Sequence, residues 1–134
     1  MSLLESDLVI IRVIRAINLI SKEDVYCIVR TNQDDSASDQ KKQIRRTHLA
    51  EKTNNPEWGN EFVIPITRAN SLVVEFQVMD QNKITKDVLM GGCSLVVDAS
   101  QFPLNEEVKR VVPLENAKRG DVEVAVRIVR VNGG

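Results

Sequence analysis

Two short polar segments hold the side chains best suited to chemistry in this chain. Ile20-Ser21-Lys22-Glu23-Asp24 and Asp80-Gln81-Asn82-Lys83-Ile84-Thr85-Lys86-Asp87 each set oxygen donors beside a hydrophobic run. A third cluster, Lys41-Lys42-Gln43-Ile44-Arg45-Arg46, is cationic and suited to meeting anions. None of the three is a catalytic constellation. His48 is the sole histidine and stands in a basic stretch with no nucleophile motif nearby, so it reads as a surface or half-buried structural residue. The six glycines build neither a phosphate-cradling loop nor a nucleophile elbow. Two cysteines and one histidine cannot complete a four-ligand zinc site. The expectation is a non-enzymatic protein.

Bulk properties narrow the field further. The 134 residues make one domain by length, large enough to bury a core without disulfides. A net charge of −1 argues against a nucleic-acid binder, so an electrostatic partner must be met by a local patch. Cys27 and Cys93 lie in apolar stretches far apart, which reads as two small core residues in a reduced, cytoplasmic protein. The amino end carries Glu5 where a signal peptide would carry Lys or Arg, and no apolar run approaches a membrane span.

The elements that must position these clusters read as strands. Leu72, Val74, Phe76 and Val78 alternate with Val73, Glu75 and Gln77, the pattern of a half-buried strand. Val122, Val124, Val126 and Ile128 repeat it near the carboxyl end, with a phase slip after Ile128. Leu8–Arg15, Tyr26–Thr31, Lys42–His48, Phe62–Ile66, Cys93–Val97 and Val108–Leu114 complete a set of eight. Pro65 cannot donate to a ladder, which assigns its strand to an edge. Asp34–Lys41 reads as a hairpin loop, and Asp98–Glu107 as room for one helical turn capped by Asp98. Eight short strands without a helical period predict an all-β, eight-stranded antiparallel β-sandwich, one unit over residues 7–131 with short termini at 1–6 and 132–134. Loops cluster at the two ends of a sandwich, so the two oxygen-bearing loops are placed to share a rim.

Asn54-Asn55-Pro56-Glu57-Trp58 fixes one turn of that sandwich. Proline sets φ and drives the preceding residue out of the helical region. Trp58, the sole tryptophan, then supplies a large apolar body at the mouth of the next strand. Asn55, Pro56, Trp58 and Phe62 are expected to be structural.

These segments, in order, resemble the C2 domain, an eight-stranded sandwich that docks on phospholipid membranes. Ala16-Ile17-Asn18-Leu19 followed by Asp24-Val25-Tyr26 looks like the family's first strand, first loop and Asp-Pro-Tyr segment. Asn55-Pro56-Glu57-Trp58, with Phe62 beyond, looks like its Asn-Pro-x-Trp turn. Val78–Asn82 through Gly91 looks like its third loop, and Gly120-Asp121-Val122-Glu123-Val124 its closing strand. The third loop also resembles that of the C2 domains that open HECT-type ubiquitin ligases.

The resemblance implies Ca²⁺ as a candidate cofactor, held in the family by carboxylates of the first and third loops. Asp24 matches the second first-loop ligand and Asp80 the first third-loop ligand. Asn82 stands where a second Asp is usual, and Asp87 lies one position from the last, whose place Val88 takes. The leading first-loop Asp is missing from a shortened loop, with Glu23 at its distance from Leu19. The set is incomplete, and affinity follows ligand charge and count. Asp24 and Asp80 are equally suited to bonding turn N–H groups.

The resemblance also implies an anionic phospholipid membrane or phosphoinositide head groups as partner. Loop residues 20–24 carry net −1 and residues 80–88 net zero, so a Ca²⁺ switch has little charge to reverse. Ile20, Lys22, Lys83, Ile84 and Lys86 are the expected lipid contacts. Burying an Ile is worth about 2 kcal/mol and each Lys near an anionic surface about 1 kcal/mol. The gross ~7 kcal/mol, less ordering costs, leaves weak reversible docking. Lys42 and Arg46 are the expected head-group contacts on the basic strand, which reads equally as a solvated edge. The competing expectation is a C2 domain that binds a protein partner and neither Ca²⁺ nor lipid.

Overall fold

The alternating segments fold into two antiparallel sheets in a computed structural model that describes residues 6–34, 44–67, 71–98 and 100–131. The strands among these residues are β1 (Ser6–Ile17), β2 (Glu23–Thr31), β3 (Arg45–Arg46), β4 (Ala50–Thr53), β5 (Glu57–Thr67), β6 (Leu72–Asp80), β7 (Val88–Val97), β8 (Val108–Pro113) and β9 (Asp121–Val131). One sheet runs β5-β1-β9-β8, and the other runs β3-β2-β6-β7 with β4 also on β2. The architecture is the expected all-β sandwich.

The inward faces follow the period-two pattern. Val9, Ile11 and Val13 of β1 and Val122, Val124, Val126 and Ile128 of β9 are buried against Val25, Cys27 and Val29 of β2 and Leu72, Val74, Phe76 and Val78 of β6. Each such side chain contributes about 1.5–3 kcal/mol on leaving water. Cys27 and Cys93 are free thiols in this core, and burial pushes both of their pKa values up. β5 is an edge strand, and Pro65 lies exposed on it, paired in register with Leu8.

The strand count differs from the expected eight. Of the strand expected over Lys42–His48, Arg45–Arg46 form β3 opposite Val29 and Ile28, while residues 42–43 lie outside the described residues. At Thr47 the side chain takes over the pairing: the Cys27 N–H donates to Thr47 Oγ1 at 2.9 Å, and the Thr47 N–H to the Cys27 carbonyl at 2.9 Å. A separate β4 then resumes along the same side of β2, opposite Glu23 and Val25. The 98–107 segment opens with the single turn expected there, capped by Asp98, and its described residues continue into no longer helix. The Asp98 carbonyl accepts the Gln101 and Phe102 N–H groups, and Asp98 Oδ1 accepts the Ser100 N–H at 2.9 Å. The hairpin expected at Asp34–Lys41 lies, beyond Asp34, outside the described residues.

The register gathers four loops at one end. Ile17 and Pro113 both pair with Asp121, Val25 with Asp80, and Asp80 with Val88. Loops 18–22, 54–56, 81–87 and 114–120 therefore share a rim. Ser6 pairs with both Thr67 and Val131 at the other end.

Candidate functional site

The first loop is held from behind by the Asn-Pro turn. Asn18 takes a left-handed backbone conformation, φ 59°, which Asn tolerates better than most residues. Its N–H donates to Asn55 Oδ1 at 2.7 Å, the Leu19 N–H to the Asn54 carbonyl at 2.9 Å, and the Ala16 N–H to the Pro56 carbonyl at 3.0 Å. Pro56 is buried. Trp58 is 7% exposed, and its indole N–H donates to the Val25 carbonyl at 3.2 Å, tying one sheet to the other directly beside Asp24. Phe62 is half-buried and packs on the core from the edge strand.

The first and third loops meet as their places in the sandwich require. The Gln81 N–H donates to the Asp24 carbonyl at 2.8 Å. Between them opens a cleft of about 570 Å³ lined by Lys22, Glu23, Asp24, Lys52, Asp80, Gln81, Asn82 and Lys83. Burial, then the neighbouring Glu23, Asp24 and Asp87 carboxylates, push the Asp80 carboxyl above its ordinary value. Three lysines stand in the same cleft as counter-charges. Lys52 was not singled out by the sequence. It reaches the rim because β4 bulges there, with Lys52 at φ 47° and its N–H donating to Asp24 Oδ1 at 2.9 Å.

Two of the carboxylates offered as metal ligands are thereby engaged with the protein itself. Asp24 receives the Lys52 N–H. Asp87 Oδ2 accepts the Tyr26 hydroxyl, and Asp87 Oδ1 accepts the Asn82 N–H at 3.1 Å. The Asn82 amide in turn donates to the Lys86 carbonyl at 3.0 Å. The Tyr26 hydroxyl and the Asn82 N–H hold the Asp87 carboxyl below its ordinary value, with Arg46 adding to the effect. Among the described residues, no group of three or more His, Cys, Asp or Glu side chains is arranged to hold a metal ion. The rim brings together Asp24, Asp80, Asn82, Asp87 and Glu23, with the Asp24 and Asp87 carboxylates accepting from N–H and O–H donors of the protein.

That network also presents the third-loop tip. Ile84 stands 97% exposed between exposed Lys83 and Lys86, and Ile20 is 47% exposed on the first loop beside Lys22. Arg46 joins the same system: its guanidinium lies 5.8 Å from the centre of the Tyr26 ring, whose hydroxyl holds Asp87. Arg45 points elsewhere, to Asp34 at 2.9 Å. Lys42 lies outside the described residues. His48 is exposed, its N–H on Asn60 Oδ1 at 3.1 Å.

A family model for the C2 domain matches residues 7–114. The chain belongs to the C2 domain family. A C2 domain-containing protein of Arabidopsis thaliana is 30% identical over 88 residues, 65% of this chain and 11% of that protein. GTPase activating protein 1 of Oryza sativa is 31% identical over 119 residues, 79% of this chain and 66% of its own length. The chain thus spans less than two thirds of either relative. Among solved structures, a C2 domain of plant extended synaptotagmin 1 superposes with a TM-score of 0.78 at 23% identity, covering 93% of this chain and 95% of that one. Human GIVD cytosolic phospholipase A2 does so with a TM-score of 0.75 at 17% identity, covering 95% of this chain and 18% of that one. At these identities the structural likeness concerns the fold of the C2 domain. C2 domains as a class are non-catalytic modules whose relatives act at membranes, and no helix among the described residues is long and apolar enough to cross one.

Proposed function

We propose that this C2 domain docks reversibly on anionic phospholipid surfaces through its loop rim, with no requirement for Ca²⁺. The observation that carries the reading is Ile84, almost wholly exposed between Lys83 and Lys86 on a loop braced by Tyr26, Asp87 and Asn82. A bare aliphatic tip flanked by cations suits a bilayer interface, where the side chain enters the acyl boundary and the ammonium groups remain among phosphates. Ile20 and Lys22 supply a second, shallower contact. Arg46, stacked on Tyr26, meets head groups from the side. The carboxylates that would bridge to lipid through a metal serve here as acceptors that shape the loops. Docking is peripheral and faces the cytoplasm.

Sedimentation with phosphatidylcholine vesicles, with and without phosphatidylserine, each in Ca²⁺ and in chelator, tests this. Binding to the anionic vesicles that is the same in both media is the expected result. Binding that needs Ca²⁺ overturns the metal-independent part, and no binding in either medium overturns the whole.

A further inference from the structure

The 114–120 loop shares the rim, and the sequence patterns did not mark it as part of the site. Three independent contacts hold it there. Glu115 exchanges backbone hydrogen bonds with Gly92 at 2.6 and 3.3 Å, and the Leu114 N–H donates to the Gly120 carbonyl at 2.9 Å. The packing is close enough to exclude side chains: a Cβ at Gly91 would stand 3.0 Å from Ala117 Cβ and 3.2 Å from Leu114 Cβ. Gly120 has φ +120°, and a Cβ there would stand 3.2 Å from Leu19 Cδ2 of the first loop. Finally, Arg119 crosses to the first loop and donates to the Leu19 carbonyl at 3.4 Å. Arg119, itself exposed, thus reaches the residue that precedes the half-exposed Ile20, and exposed Lys118 stands next to it in the loop.

We propose that the 114–120 loop is a third docking loop for the same anionic lipid surface, with Lys118 and Arg119 contacting head-group phosphates on the Ile20 side. This rests on the lipid-docking reading above. The charge complementarity mirrors that of the third loop: an aliphatic side chain, Ile20 or Ile84, with cations at its flank. Two such points on opposite sides of the carboxylate cleft fix how the domain tilts on the surface, where one point would leave it free to roll.

The test is vesicle sedimentation of the full chain carrying Lys118→Gln and Arg119→Gln. Affinity for phosphatidylserine-containing vesicles should fall about tenfold, each cation near such a surface contributing a factor of several. A charge-matched control, Arg30→Gln with Arg127→Gln, lies away from the rim and should bind as wild type does. Arg119→Lys alone, which keeps the charge, should also bind as wild type does. Three results overturn the proposal while leaving wild-type docking intact: no loss in the double variant, an equal loss in the control, or an Arg119→Lys loss as large as that of the double variant. The last would mean that Arg119 serves only to brace the first loop. Failure of wild type to bind anionic vesicles overturns both readings together.

Discussion

The Tyr26 hydroxyl donates to the Asp87 carboxylate across the rim, joining β2 to the far end of the third loop. Because the same carboxylate accepts the Asn82 N–H, the loop is closed on itself and braced from below at one point. Tyr26→Phe removes the brace and leaves the ring's packing and the fold unchanged. The Asn82 amide should exchange faster with solvent, and anionic vesicles should be bound more weakly. An unchanged Asn82 exchange rate would show that the loop is held elsewhere.

Asp80 and Asp87 should titrate on opposite sides of the ordinary carboxylate value of 3.8. Asp80 is raised by burial and by its acidic neighbours, so its ionisation opposes folding once the pH exceeds its folded pKa. Asp80→Asn should therefore raise the thermal midpoint at neutral pH, a gain that fades as the pH falls to the ordinary value. Asp87 is lowered, so its contribution is present above the ordinary value and is lost as the pH falls through its folded pKa. Carboxyl ¹³C NMR titration reads both directly. Asp80 titrating below Asp87 would contradict the geometry.

Ile84→Ala should weaken binding to anionic vesicles about tenfold through lost apolar burial. Its thermal midpoint should not move, since the side chain touches little of the folded protein. Raising the salt concentration should erode the contribution of Lys83 and Lys86 and leave the Ile84 loss in place.

Trp58→Phe removes the inter-sheet hydrogen bond to the Val25 carbonyl together with packed volume, and should cost about 2 kcal/mol in denaturant unfolding. As the sole tryptophan, Trp58 reports unfolding directly by fluorescence. Its emission should stay blue-shifted and unchanged on vesicle binding, because it lies inside the sandwich. A shift on binding would place it at the lipid contact instead.

At Asn18, φ 59° separates substitutions by backbone cost alone. Asn18→Gly should be nearly neutral, whereas Asn18→Val should destabilise by about 1–2 kcal/mol. Equal effects would show that the left-handed turn does not persist in solution.

Alternation from Leu72 to Val78 and from Val122 to Ile128 is a local signal, and it marked the inward faces because half-buried strands repeat every two residues. Pro65 likewise announced an edge through chemistry carried in one residue. β4 was not legible: its four residues show no alternation and owe their place to a bulge opposite Asp24, on another strand. The rim was legible only as far as its loops carried hard oxygen donors or Lys–Ile pairs. Lys52 and the Lys118–Arg119 pair enter it through contacts with Asp24 and Leu19, the latter 100 residues from Arg119. Separations of that kind leave no trace in a short window of sequence. The implied metal ligands illustrate the converse. Residue types and loop positions matched, but whether Asp24 and Asp87 turn outward to an ion or inward to N–H and O–H donors depends on the backbone of β4 and the reach of Tyr26.

The pairing of Ser6 with Val131 has a practical consequence. Both strands run the length of the sandwich from the loop rim, so the Ser6 and Val131 ends of β1 and β9 stand roughly 33 Å from the rim at the usual strand rise. A fluorescent fusion or a tether at either terminus would then stand clear of the bilayer and report attachment without obstructing it. Crosslinkers aimed at lipid should spare the Ser6 and Val131 ends of these strands and label loop side chains.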